Sequence, residues 1–160
     1  ETNNEEYAEF VKSANYKAPQ DWKNGNPPEG KERLPVTFVS MSDAKAYTDW
    51  VSKKINKPCR LPTEEEWEYA ARNGSKATSF PWGETWQPSS ANINTGEKSE
   101  VGSFPEETQV GGLKDMLGNV QEWTSSKYTL YPGNPAEKPE IEVKGEIVKR
   151  GIAYVTSAVY

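Results

Sequence analysis

Two carboxylates, Asp115 and Glu122, flank a Gly118-Asn119 turn pair in this 160-residue chain. A glycine turn that folds the segment back brings both acids together with main-chain carbonyls, which are hard oxygen donors at calcium spacing. Water would complete a shell of about six to eight ligands. The alternative leaves both acids solvated or capping local amides. A second acidic group, Glu64, Glu65, Glu66 and Glu68, invites a reading as catalytic carboxylates. It follows Thr63 directly, however, and Thr63 with Glu66 forms a capping box in which first-turn acids favour the helix dipole. That structural reading is adopted, and no glycosidase chemistry is expected.

The chain contains no histidine. Imidazole metal ligands, histidine general bases and every Ser-His or Cys-His pair are therefore removed together. Cys59 is single, so no internal disulfide forms, and between Pro58 and Arg60 it reads as a small packing residue rather than a nucleophile. No catalytic residue is assigned. Among the six tryptophans, Trp67, Trp82 and Trp123 read as core, because a large ring spans the gaps of a loop-rich fold. Trp22 and Trp86 stand in polar loops and are the candidates for a sugar or peptide platform.

These residues need elements to position them. Tyr7, Phe10, Val11 and Ala14 repeat with helical spacing over residues 3 to 14, and either Thr2 with Glu5 or Asn3 with Glu6 supplies the start. From Lys17 to Arg33 the chain is polar and rich in Pro and Gly, which predicts a surface loop pinned by Trp22. Leu34 to Val39 is a short β-prone stretch. Ser40 and Asp43 open a second helix whose Ala46, Tyr47, Trp50, Val51 and Ile55 share a face, and Lys57-Pro58 ends it. The third helix follows Thr63 and stops at Asn73-Gly74, a left-handed pair. Beyond it come loops and brief strands. Gly112 to Trp123 carries the Gly118-Asn119 turn, and Ile141 to Val148 alternates as one or two strands of a hairpin around Lys144-Gly145.

Composition sets the outer limits. One domain over 1–160 fits the length. With 34% hydrophobic but 11% aromatic residues, the chain reads as a globular fold with few, large apolar anchors. Twelve Gly and twelve Pro exclude an all-helical architecture. The net charge of −5 lacks the positive footprint that nucleic acid or an anionic membrane selects, so neither partner is expected. No apolar run approaches the roughly 20 residues of a membrane span.

Several segments together resemble the formylglycine-generating enzyme family, the sulfatase-modifying group with a variant C-type lectin fold. They are Glu1 to Tyr7, Leu34-Pro35-Val36, the Asp43-Ala44 helix with Trp50, Arg60 to Arg72, Pro81-Trp82-Gly83, Ala91-Asn92-Ile93, Val101 to Pro105, Asp115 to Thr124, and Arg150-Gly151. The resemblance implies an α+β, loop-rich domain with two to three helices around short antiparallel strands. In the oxidase branch it implies a copper-binding cysteine pair following the Arg-Gly. Set on Arg150-Gly151, that pattern places Thr156 over the first cysteine and Tyr160 over a tyrosine, with the second cysteine just past the end. A hydroxyl cannot replace a thiolate on soft Cu(I). The sister branch with histidine-ligated iron fails for want of histidine, so neither copper nor iron is expected.

The resemblance also maps the family's calcium site onto the side chains of Asp115 and Glu122 and the carbonyls of Gly118 and Val120, with a second, weaker match at Asn92 and the Ile93 carbonyl. The expectation is a non-catalytic module that recognises a protein or small ligand through its C-terminal surface, with Ile152, Tyr154, Thr156 and Ser157, and through Trp22 and Trp86. Family parallels are sensor parts of bacterial proteins, including kinase-linked ones, and retroelement-diversified display proteins. The rival is a divergent copper oxidase completed by residues beyond this chain. Since the chain begins at Glu1 and lacks the family's terminal strands, the native product is expected to be longer, or another chain to cover that edge.

Overall fold

The structure, a computed structural model, describes residues 1–93, 95–105, 108 and 110–127, with the backbone of 147–150. Helix α1 (Asn4–Ser13) starts from Asn3, whose side chain accepts from the Glu6 N–H at 2.8 Å while the Glu6 carboxylate accepts from the Asn3 N–H at 3.0 Å. Of the two starts open to the sequence, this one prevails: Asn3 is the extended N-cap, and the Thr2 carbonyl before it accepts the Val36 N–H at 3.0 Å. Helix α2 (Met41–Ile55) is capped in the same way by Ser40 and Asp43, and helix α3 (Glu64–Ala71) by Thr63 and Glu66. Arg60 reinforces the last box with two 2.7 Å bonds to the Glu66 carboxylate. The Glu64–Glu68 acids thus open a helix, as the structural reading expects.

The three helices stop where their residues allow a left-handed backbone. Asn56 caps α2 at φ 51° and Asn73 follows α3 at φ 58°, so the stop after α2 lies at Asn56, ahead of Lys57-Pro58. Asn73 and Gly74 lead into a short 3₁₀ turn, Gly74–Lys76.

Helices α1 and α2 pack through aromatic rings. Tyr7 and Phe10, each 2% exposed, meet Tyr47, Trp50 and Tyr16. Trp22 closes this cluster edge-on against Tyr7 at 6.1 Å and ties down the Lys17–Arg33 loop. A second cluster joins Trp67, Ala70 and Ala71 of α3 to Met116. Ala14 and Ile55 leave their predicted stripes. Ala14 is the exposed C-cap of α1, and Ile55, 49% exposed, lies one residue past Lys54, whose bonds to Glu9 and place over the Trp50 ring close the helix pair.

The β-prone stretch Leu34–Val39 forms an isolated bridge, Asn3 with Pro35, and no strand. Phe38 adopts φ 58°, which breaks the extended run and leaves its ring 67% exposed. Among the described residues the sheet has two strands, β1 (Glu122–Lys127) and β2 (Ile147–Arg150), antiparallel, with Glu122 opposite Arg150, Trp123 opposite Lys149 and Lys127 opposite Ile147. The register shifts between Trp123 and Lys127. Ile147 therefore does lie on a strand, paired with β1; residues 141–146, the remainder of the expected hairpin, lie outside the described residues. The Ser125 N–H donates to the Pro62 carbonyl at 2.8 Å and the Glu64 N–H to the Ser126 hydroxyl at 2.9 Å, which fastens β1 to the start of α3. No described helix is long and apolar enough to cross a membrane.

Asp43 joins the two helical layers. Besides its cap, its carboxylate accepts the Tyr16 hydroxyl at 3.0 Å and pairs with Lys17 at 3.0 Å. Burial works against its charge, but the Ser40 hydroxyl and amide, Lys17 and Tyr16 outweigh it and hold the carboxyl at about 2. Because this folded value lies below the usual 3.8, the stabilisation is complete above 3.8 and disappears as pH falls through about 2. Asp43→Asn should cost about 1–2 kcal/mol at neutral pH and flatten the acid limb of stability in that window, measured by urea unfolding from pH 7 to 2.

Candidate functional site

The Gly118-Asn119 turn builds the centre of the molecule. Gly118 has φ 98°, and a Cβ there would stand 2.7 Å from the Asn92 carbonyl oxygen and 3.0 Å from its nitrogen. Only glycine permits this approach. It lets the Asn119 N–H donate to the Asn92 carbonyl at 2.9 Å and seats the Asn119 side chain, 1% exposed, between three segments. Its amide oxygen accepts from Asn92 Nδ2 and from the Ser99 N–H, both at 3.0 Å. Its amide nitrogen donates to the Glu1 carboxylate at 2.8 Å and to the Ser99 carbonyl at 3.2 Å. Asn92, 3% exposed, also donates to the Glu97 carbonyl at 2.9 Å and accepts the Thr95 hydroxyl. The weaker metal match at Asn92 is thus a structural strut with its side chain engaged by protein groups.

Around this knot stand the expected calcium ligands. Glu122 Oε2 accepts the Trp67 indole N–H at 2.6 Å, and its Oε1 lies 3.0 Å from the Glu1 nitrogen. Asp115, in the left-handed region at φ 56°, accepts the Gly102 N–H at 2.6 Å. The Val120 N–H donates to the Glu1 carboxylate at 3.3 Å. Among the described residues no three carboxylate, thiol or imidazole side chains converge closely enough to hold an ion by themselves. Main-chain carbonyls would have to complete any shell.

Burial pushes the Glu1 carboxyl up to about 8, and the Asp115 and Glu122 carboxylates add to the rise. Three acids thus share one poorly solvated corner, where N–H groups of Asn119, Trp67, Gly102 and Val120 are directed at their carboxylates. Glu1 was invisible as a site residue in the sequence, since only the fold brings it across to Asn119. An apolar cavity of ≈ 290 Å³, lined by Tyr7, Val36, Tyr47, Trp67 and Trp123 among others, opens beside Glu1 and Glu122.

The remaining candidates separate. Trp22, grouped with the ligand-binding residues, is 7% exposed and belongs to the core: its ring completes the Tyr7–Phe10 cluster, which a polar flanking sequence hides. Trp86 is 43% exposed and touches Phe80 and Trp82. Trp82 is therefore half-buried in that surface group rather than in the core, and the density of rings between Phe80 and Trp86 was its signal. Ile152, Tyr154, Thr156 and Ser157 lie outside the described residues. Cys59 is half-buried, its N–H donating to the Ser52 hydroxyl at 2.7 Å.

This arrangement defines a class before it defines a family: a loop-rich α+β domain. The solved structure of PvdO from Pseudomonas aeruginosa has the same architecture, with a TM-score of 0.71 and 31% identity over 95% of this chain and 65% of that one. The FGE-sulfatase family, the sulfatase-modifying factor enzyme 1-like domain, matches residues 1–159, and the chain belongs to it. Inactive C-alpha-formylglycine-generating enzyme 2 of Bos taurus is 43% identical over 111 residues, covering 61% of this chain and 35% of the relative. Formylglycine-generating enzyme of Mus musculus is 35% identical over 170 residues, covering 94% of this chain and 42% of the relative. The chain therefore spans less than half the length of either.

Asn119→Ala would strand the Ser99 N–H and the Asn92 amide in a buried site. It should cost about 3 kcal/mol, seen as a fall in the urea midpoint with an unchanged slope.

Proposed function

We propose that this domain is a non-catalytic binding module, which keeps the family scaffold and recognises a protein or small ligand. The observation that carries the reading is Thr156, which falls where the resemblance, set on Arg150-Gly151, implies a copper-binding cysteine. An alcohol does not hold soft Cu(I), and with no histidine in 160 residues and one cysteine, tied into the connection between α2 and α3, the chain has no substitute ligand pair. An inactive relative at 43% identity supports the same direction. The recognition surface comprises Ile152, Tyr154, Thr156 and Ser157 together with Trp86, and its setting is that of a sensor, receptor or diversified display domain. Supplied with copper and a cysteine-containing peptide, the protein should consume no oxygen above buffer. Sustained copper-dependent uptake would replace this reading with that of an oxidase completed by residues beyond the chain.

We also propose calcium as a structural ligand, held by the Asp115 and Glu122 side chains and the Gly118 and Val120 carbonyls. Its chemistry there is charge compensation: it would neutralise the acidic corner and let Glu1 ionise. Millimolar Ca²⁺ should raise the melting temperature by several degrees, about 2.7 kcal/mol at one hundred times the dissociation constant. Glu122→Gln keeps an acceptor for Trp67 and removes the charge, so it should abolish the rise. An identical rise in that variant would exclude the assignment.

A further inference from the structure

The three rings of Phe80, Trp82 and Trp86 form a surface that neither the core nor the acidic corner uses. Phe80 and Trp82 stack at 5.6 Å with an interplanar angle of 7°. Trp86 leans on both, 5.4 Å from Phe80 and 5.7 Å from Trp82. Its indole is 43% exposed, and the other two rings are half-buried.

The backbone beneath is fixed on every side. The Phe80 N–H donates to the Gly83 carbonyl at 2.9 Å and the Gly83 N–H returns to Phe80 at 3.0 Å. Asn73 Nδ2, at the end of α3, holds the Pro81 carbonyl at 2.6 Å, and the Thr78 hydroxyl holds that of Phe80 at 2.7 Å. The Trp82 indole N–H is spent on the Thr85 carbonyl at 2.9 Å. Phe80 and Trp82 are thus a fixed support for the exposed Trp86 ring, and a support that is already in place lowers the ordering cost of a ligand that settles there.

The chemistry of the surface selects the guest. Aromatic faces are electronegative, and Glu84, one residue past the Phe80–Gly83 turn and exposed, has a carboxylate that accepts the Ser79 hydroxyl at 2.7 Å on Oε2. The complement is a flat ligand with positively polarised C–H groups on one face and hydroxyl donors at its edge. A cation cage is excluded by geometry: rings in mutual contact leave no gap in which an ammonium could sit.

We infer that the Phe80–Trp82–Trp86 surface is a carbohydrate subsite, which stacks a pyranose ring of an extended glycan on Trp86 and takes one of its hydroxyls on Glu84. The inference rests on the binding-module reading and supplies that reading with a ligand class at one site.

Titration of the whole chain with cellohexaose and with chitohexaose, followed by tryptophan fluorescence and calorimetry, tests it. At least one should bind saturably. Trp86→Ala should weaken that binding about tenfold with an unchanged melting temperature, while Trp86→Phe retains most of it. Glu84→Gln should weaken it severalfold. Absence of saturable binding by both sugars, or binding undiminished in Trp86→Ala, overturns the subsite. So does a tetralysine peptide that binds in their place and loses its affinity with Trp86. Oxygen uptake reports separately: a silent oxidase assay beside failed glycan binding leaves the module reading standing, and uptake beside intact glycan binding removes only that reading.

Discussion

The approach of Gly118 to the Asn92 main chain, which leaves no room for a Cβ, is the constraint on which the rest depends. A side chain at this turn would push apart two segments that meet through hydrogen bonds on both the backbone and the Asn119 amide. With the turn seated, residues near 1, 92, 99 and 119 share a single buried polar knot. Networks of this kind are stabilising only when every member is satisfied, and here each amide of Asn92 and Asn119 has a partner. The acidic corner is a by-product of the same geometry, because the turn that satisfies Asn119 also brings Glu1 toward Asp115 and Glu122.

The apolar part of the fold follows a different logic. With two strands and three short helices described, regular structure supplies few contacts. Large rings compensate: Tyr7, Phe10, Tyr47 and Trp50 interlock α1 with α2, and Trp22 secures a loop that has no regular structure of its own. Polar bonds from indole nitrogens extend this economy. Trp67 reaches Glu122 and Trp123 reaches the Val39 carbonyl, so each ring fills volume and fixes a strand position at once.

Local signals were legible in the sequence wherever one short segment determined the outcome. All three helix starts follow from side-chain caps three residues before a matching acid, and the Asn73-Gly74 stop follows from backbone permissiveness. Long-range placement was not legible. Trp22 sits in a polar stretch and reads as exposed until the Tyr7 face is brought to it. Glu1 reads as part of a motif, because nothing near it announces that Asn119 will arrive. The Leu34–Val39 stretch has strand-forming residues but a left-handed Phe38, and tertiary context overrode its propensity. In the candidate site, the spacing of Asp115 and Glu122 is local, whereas their N–H partners, Gly102 and Trp67, come from other segments and leave no local signal.

Phe38 itself has a bearing on how this surface can drift over generations. A left-handed backbone penalises any side chain branched at Cβ, so exchange to Val, Ile or Thr carries a conformational toll of about 1–2 kcal/mol, whereas Gly or Asn would relax the turn. The position is thus open to small, pliant residues and closed to the stiff ones that dominate strands. Variation at this outward-facing spot is filtered by the torsion angles of the main chain rather than by anything the ring touches.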